Sequence, residues 1–276
     1  MTLKSRNRLL LTFIIVSFML FIFSAIRLGL SIYNGTVFTP ENLTRPVSIK
    51  MPDSILFSRN FYATCAAILF FYIYSIVVTI LLYVHFEKTQ AIEVIYFMAF
   101  VTGCLFEGVR IFVPIDGLWS KTSVALALTG RIVITGRIAT CLGLLFSVIF
   151  NETEQRQYVE RNFVILFIIA ITIGQIYPIS TVELLSTFTV QTGERMLFNA
   201  FQYTLMLATI SVILYEGITN HVEKLSREIL GCILIMAGYK ILYNADCYIM
   251  LAFGAVCMTI GSVIYLKYLH SQYLWK

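Results

Sequence analysis

Charged residues are scarce in this chain: aspartate, glutamate, lysine and arginine together make up only 13% of its 276 residues. Soluble domains usually carry about 25% charged residues. A soluble chain of this length would also lack a core large enough to bury a hydrophobic share of 59%. These proportions exclude an ordinary soluble globular protein. They predict an integral membrane protein whose apolar side chains contact the lipid bilayer.

Patterns for metal binding, nucleophilic catalysis and nucleic-acid binding are also missing. None of the three histidines is spaced as in HExxH, no GxSxG segment occurs, and the six cysteines form no CxxC pair. The basic residues are scattered, whereas a nucleic-acid-binding protein gathers them on one face. The sequence therefore predicts no metal, no cofactor and no nucleic-acid partner, and it gives an enzymatic function little support.

Eight apolar segments are long enough to cross a bilayer as helices, which takes about 20 residues each. They lie near residues 9–32, 61–86, 91–114, 124–150, 163–182, 197–217, 228–245 and 247–269. We predict an all-α fold, a polytopic helical bundle that forms a single transmembrane domain over residues 1–276. The seventh segment is interrupted by Tyr239, Lys240 and Tyr243, and an alternative is that it merges with the eighth. The first segment exceeds the roughly 7–15 apolar residues of a signal peptide, so we expect an uncleaved helix.

The distribution of basic residues predicts how the bundle is oriented. If the N-terminus is inside, ten lysines and arginines fall on the cytoplasmic side and six fall on the outer side or at its border. This excess favours N-in and C-in in a plasma (cytoplasmic or inner) membrane. The loops are short except for an outer loop at 34–60, which we expect to lie over the outer face as a lid.

Charged residues inside the apolar segments are the best indicators of function, because charge is costly in lipid. At 1.5 Å per residue, Glu107 and Arg131 lie about 11–12 Å below the outer edge, and Arg137 lies at about 20 Å. The matching depth of Glu107 and Arg131 on consecutive antiparallel helices predicts a buried ion pair between them. Arg137 has no obvious acidic partner at its own level, which makes it the sharpest indication of an anion site.

Other polar residues also lie in the outer halves of the segments. Arg27, Arg110 and Lys240 lie roughly 7–9 Å from the outer edge, and an alternative is that they snorkel to the headgroups. Pro178 is expected to kink or end the fifth helix. We therefore predict a net cationic vestibule with aromatic walls that opens outward. The candidate ligand-binding residues are Glu107, Arg110, Arg131, Arg137, Gln175, Tyr177, Gln202, Tyr203 and Lys240.

Three functions from different classes fit this pattern. The first is a receptor-like or sensory module that binds a small polar or anionic ligand from the outer side. Its layout resembles the multi-span input modules of bacterial signalling proteins, and it would need a partner protein for signal output. The second is a secondary transporter or channel, for which Arg137 and Pro178 would supply the site. The third is a structural or assembly subunit of a membrane complex, or a lipid-handling protein, in which the cations would contact lipid phosphates.

Overall fold

The computed structural model describes residues 3–37, 43, 56–87, 89, 91–118, 123–150, 159–220 and 225–274. Within these ranges the chain forms eight long helices. They are α1 (Leu3–Tyr33), α2 (Phe61–Phe86), α3 (Glu93–Glu107), α5 (Ser123–Ile149), α6 (Val159–Ile176), α7 (Arg195–Asn220), α8 (Leu225–Tyr243) and α9 (Tyr248–Leu274). A 3-10 turn, Gly108–Ile111, joins α3 to the short helix α4, Phe112–Asp116. The predicted all-α polytopic bundle is confirmed.

Seven of the described helices are long and apolar enough to cross a membrane. The other long helix, α8, carries three charged residues, Arg227, Glu228 and Lys240. It lies lengthwise against α9, and the chain leaves helical geometry at 244–247 between them. The two helices are therefore separate, and the alternative in which they merge is wrong.

Local chemistry explains several helix ends. The side chain of Asn60 accepts a 2.8 Å hydrogen bond from the backbone N–H of Tyr62 and so caps the start of α2. Gly117 ends α4 in the left-handed region, at φ 58°, where glycine carries no steric penalty. Helix α6 ends at Ile176, two residues before Pro178, whose ring and missing N–H do not fit a continuing helix.

A β hairpin follows Pro178 at the point where the fifth predicted helix, 163–182, was expected to continue. Strands β1 (Ile179–Leu184) and β2 (Val190–Thr192) pair antiparallel, with an irregularity in β1. The hairpin tip, residues 185–189, is buried against the helices. The prediction of helix beyond Ile176 is therefore wrong, because Pro178 ends the helix and the β-branched residues after it, such as Thr181 and Val182, favour strand.

Two helix pairs pack so closely that glycines on one helix touch the backbone of the other. A Cβ on Gly103 of α3 would lie 2.5 Å from the carbonyl oxygen of Gly136 on α5. A Cβ on Gly238 of α8 would lie 2.5 Å from the backbone nitrogen of Met258 on α9. Small residues allow this approach in membrane bundles, where packing and polar contacts drive helix association. The close α3–α5 packing places Glu107 and Arg137 on facing helices.

Both described ends of the chain lie at the same end of the bundle. Arg6 of α1 donates hydrogen bonds to the carbonyl oxygens of Phe86 and, at 2.5 Å, Thr89 beyond the end of α2. Tyr273 near the end of α9 donates to the carboxylate of Glu93 at the start of α3. We call this the inner end and the hairpin end the outer end, following the predicted orientation. Most of the predicted outer loop at 34–60, and its role as a lid, lies outside the described residues.

Candidate functional site

Glu107, the last residue of α3, lies at the centre of a buried charge cluster. Its side chain is 0% exposed. Arg137 of α5 donates from Nε to Oε1 over 2.7 Å, and the hydroxyl of Tyr239 on α8 donates to the same oxygen over 3.0 Å. Arg110 Nε lies 3.0 Å from Oε2, but its N–H is directed at the Glu107 carbonyl oxygen, 3.1 Å away. The contact between Arg110 and Oε2 is therefore one of charge and not a hydrogen bond.

The predicted ion pair between Glu107 and Arg131 is wrong, and Arg137 takes that place. Arg131 instead donates a 2.7 Å hydrogen bond to Gln175 of α6. Side chains on a helix lean toward its N-terminus. Because α3 begins at the inner end and α5 at the outer end, Glu107 leans inward and Arg137 leans outward. The two side chains therefore meet although the backbone of Glu107 lies nearer the outer end. Arg131 is about 240° away from Arg137 around α5 and faces α6.

Arg110 does not snorkel to the outer surface, contrary to the alternative considered from its depth. It is 1% exposed, and its Nη1 donates to the carbonyl oxygens of Tyr243, at 2.9 Å, and Thr187, at 3.4 Å. Arg110 thus links the end of α3 to the hairpin tip and to the end of α8. Arg27 forms an exposed ion pair with Asp116 of α4.

Lys240 also bonds within the protein. Its Nζ donates to the amide oxygens of Asn199, at 3.0 Å, and Gln202, at 2.6 Å, both on α7. The same nitrogen lies 4.7 Å from the ring centre of Tyr203 and 5.0 Å from that of Tyr243. The Arg137 guanidinium lies 4.2 Å from the Tyr243 ring centre. Tyr243 is therefore a shared cation–π partner of Arg137 and Lys240.

A cavity of about 310 Å³ lies at the outer end, between α5, the hairpin, α7, α8 and α9. Three cations line it, Arg137, Arg195 and Lys240, together with the rings of Tyr203 and Tyr243. No carboxylate is among the described residues that line the cavity. Glu107 lies behind Arg137 as its buried counterion. The cavity surface is therefore net cationic.

The side chains beneath this cavity are tightly packed. The gap between Phe100, Cys141, Leu144 and Met236 leaves no space for a water molecule. It belongs to an aromatic and aliphatic core that continues toward the inner end, as the burial of Tyr265 shows. Among the described residues, the structure therefore combines a polar cavity at the outer end with tight packing directly beneath it.

The nine candidate residues divide into three groups in the structure. Arg137, Tyr203 and Lys240 line the cavity, and Gln202, Glu107 and Arg110 contact its walls from behind. Arg131, Gln175 and Tyr177 lie elsewhere.

Arg131 and Gln175 bond each other, whereas the Tyr177 hydroxyl donates to the carbonyl oxygen of Glu194 over 2.5 Å. Burial raises the pKa of the Tyr177 phenol, a direction that agrees with its role as a donor.

Sequence reasoning missed Arg195, Asn199 and Tyr243 as lining residues. A signal was present, because Arg195, Asn199 and Tyr203 are spaced i, i+4 and i+8 and so share one face of α7. Tyr243 lies three residues after Lys240 on α8, on a neighbouring part of the helix surface.

Among the residues that the structure describes, no group of three or more His, Cys, Asp or Glu side chains could hold a metal ion. Comparisons of the chain with protein-family models, with curated proteins and with solved structures found no match. The functional conclusion therefore rests on the chemistry of the outer cavity.

Proposed function

We propose that this protein is a receptor-like membrane module that binds a small anion from the outer side of a plasma (cytoplasmic or inner) membrane. The observation that carries this proposal is the lining of the outer cavity by Arg137, Arg195 and Lys240 without a carboxylate among the described lining residues. Like charges held close together in a low-dielectric site repel one another. An anion in the cavity offsets that repulsion.

The hydrogen-bond inventory of the cations supports an anionic ligand. Arg137 uses its Nε for Glu107, and the described residues take no hydrogen bond from its two terminal nitrogens. These two nitrogens form the fork that binds carboxylate and phosphate in a bidentate manner. Lys240 donates to Asn199 and Gln202, which leaves one of its three hydrogens for a ligand.

The size and position of the cavity favour a small ligand that enters from the outer side. At about 310 Å³ it is at the small end of ligand pockets, which span about 300–1,000 Å³, so a small carboxylate or phosphate fits better than a peptide. The closed packing beneath Arg137 supports binding in preference to passage across the membrane. A partner protein would carry the signal onward.

The test is the binding of small anions to the purified protein in lipid nanodiscs. Inorganic phosphate, sulfate, acetate and succinate are titrated at constant ionic strength, with the unfolding temperature and the heat of binding as readouts. We expect saturable binding of at least one of them. Lys240→Gln is expected to weaken it about 10- to 100-fold, because a hydrogen bond to a charged group contributes about 1.5–3 kcal/mol.

Arg131→Gln is the matched control, because it removes the same charge from a residue that bonds Gln175 outside the cavity. Its affinity for the anion should equal that of the wild type. Absence of binding by all four anions, or equal losses in both variants, would contradict the proposal. Arg137-dependent uptake of the anion into proteoliposomes would show transport and overturn the receptor-like assignment.

A further inference from the structure

A second cavity, of about 240 Å³, lies at the inner end between α2 and α9. Its apolar lining is formed by Leu81, Phe86, Val263 and Leu266, of which Leu81 and Val263 lie deepest in the membrane. Val263 is 43% exposed on the outside of the bundle. Since the outside of the bundle faces lipid at this depth, the apolar part is open to acyl chains.

The rim of this cavity is polar. It is formed by His85 of α2 and by Lys267, His270 and Ser271 of α9. His85 Nδ1 bonds the carbonyl oxygen of Leu81 over 3.0 Å, and its ring packs edge-on against His270 with the centroids 5.9 Å apart. Lys267 is exposed, and no carboxylate is among the described residues that line the cavity.

Val263 and Leu81 lie deeper in the membrane than the polar rim. His85 is in the last turn of α2, and His270 is in the last two turns of α9, so both are close to the inner surface. Val263 is seven residues before His270 in α9. At 1.5 Å per residue that separation is about 10 Å, the distance from a headgroup into the upper acyl chains.

We infer that this inner cavity is a binding site for an anionic phospholipid, with the phosphate at Lys267 and an acyl chain along Val263 and Leu266. The charge is complementary, because the rim carries a lysine and the cytoplasmic leaflet contains anionic lipids. The opening faces acyl chains as well as headgroups, which favours a lipid over a dissolved anion. This site is independent of the outer cavity and of its proposed ligand.

The test measures lipid retention by the full-length protein in nanodiscs of phosphatidylcholine with a minor share of phosphatidylglycerol. The protein is transferred to detergent, and the lipids that remain bound are counted by native mass spectrometry. We expect the wild type to retain phosphatidylglycerol in preference to phosphatidylcholine. Lys267→Gln should reduce this preference roughly fivefold, the effect of one basic residue at an anionic surface.

Two further variants separate this site from general surface charge. Val263→Trp fills the apolar part and leaves every rim residue in place, so it should also reduce retention. Arg227→Gln removes an exposed cation from the inner end of α8, away from the cavity, and should retain lipid like the wild type. Equal loss with Arg227→Gln, unchanged retention with Val263→Trp, or displacement of the lipid by inorganic phosphate alone would overturn the inference.

Discussion

Replacing Glu107 with glutamine tests the charge cluster that holds Arg137 at the outer cavity. The substitution keeps the size of the side chain but removes the negative charge that lies 2.7 Å from Arg137 Nε and 3.0 Å from Arg110 Nε. All three side chains are buried, so both guanidinium groups lose their counterion inside the bundle. Removing one partner of a buried pair costs about 3–5 kcal/mol. We expect Glu107→Gln to lower the free energy of unfolding by an amount in that range.

A double-mutant cycle identifies the partner. In Glu107→Gln/Arg137→Gln the uncompensated charge at residue 137 is also removed, so the loss should be smaller than the sum of the two single losses by about 2–3 kcal/mol. The recovery is incomplete because Arg110 still lacks its counterion. The free energy of unfolding is measured by reversible SDS unfolding in mixed micelles.

The matched cycle combines Glu107→Gln with Arg131→Gln. Arg131 bonds Gln175 and shares no hydrogen-bond partner with Glu107 among the described contacts. Its effect should therefore add to that of Glu107→Gln within about 0.5 kcal/mol. Coupling between Glu107 and Arg131, together with additivity between Glu107 and Arg137, would refute the pairing.

Two further predictions concern packing and the hairpin. Gly103→Ala should destabilise the protein by about 1–3 kcal/mol, because the new methyl group would meet the backbone of α5. Gly29→Ala is the control and should be nearly neutral, because nothing lies within 4 Å of its Cβ. The same SDS unfolding assay compares the two variants. Arg110→Met leaves the carbonyl oxygens of Thr187 and Tyr243 without their charged donor. Hydrogen exchange at the hairpin tip should therefore accelerate about tenfold or more, while exchange in α1 should be unchanged. Equal exchange at the tip in both proteins would show that Arg110 does not hold it.

The sequence was sufficient to predict the class of fold. Long apolar segments have few alternatives in a bilayer, so eight helices followed from hydropathy. The hairpin was missed because apolar residues, Ile179 and Val182, continue past Pro178, although the chain also becomes rich in serine and threonine there. Only the proline and the β-branched residues after it, such as Thr181 and Val182, indicated strands.

The pairing of the charges was mispredicted for a different reason. Depth along a helix axis locates Cα atoms, whereas a guanidinium lies several ångströms away in a direction set by the helix polarity. Glycine spacing would have helped to place the helices. Gly136 and Gly143 are seven residues apart on α5, and the close α8–α9 pair has the same spacing at Gly231 and Gly238 of α8. A search for GxxxG alone does not detect this pattern.

The most direct test of a cationic outer cavity compares thiol reagents of opposite charge. Cysteine is introduced either at Met250, which lines the cavity, or at Val182, which is 91% exposed on β1. Cys257 is replaced by serine in both variants, because it alone of the native cysteines is not buried. A sulfonate and a trimethylammonium methanethiosulfonate are applied from outside. The rate ratio of anionic to cationic reagent should be about tenfold higher at Met250→Cys than at Val182→Cys, and Lys240→Gln should reduce that difference. Equal ratios at the two positions, or reaction at Met250→Cys only from the inner side, would contradict the account.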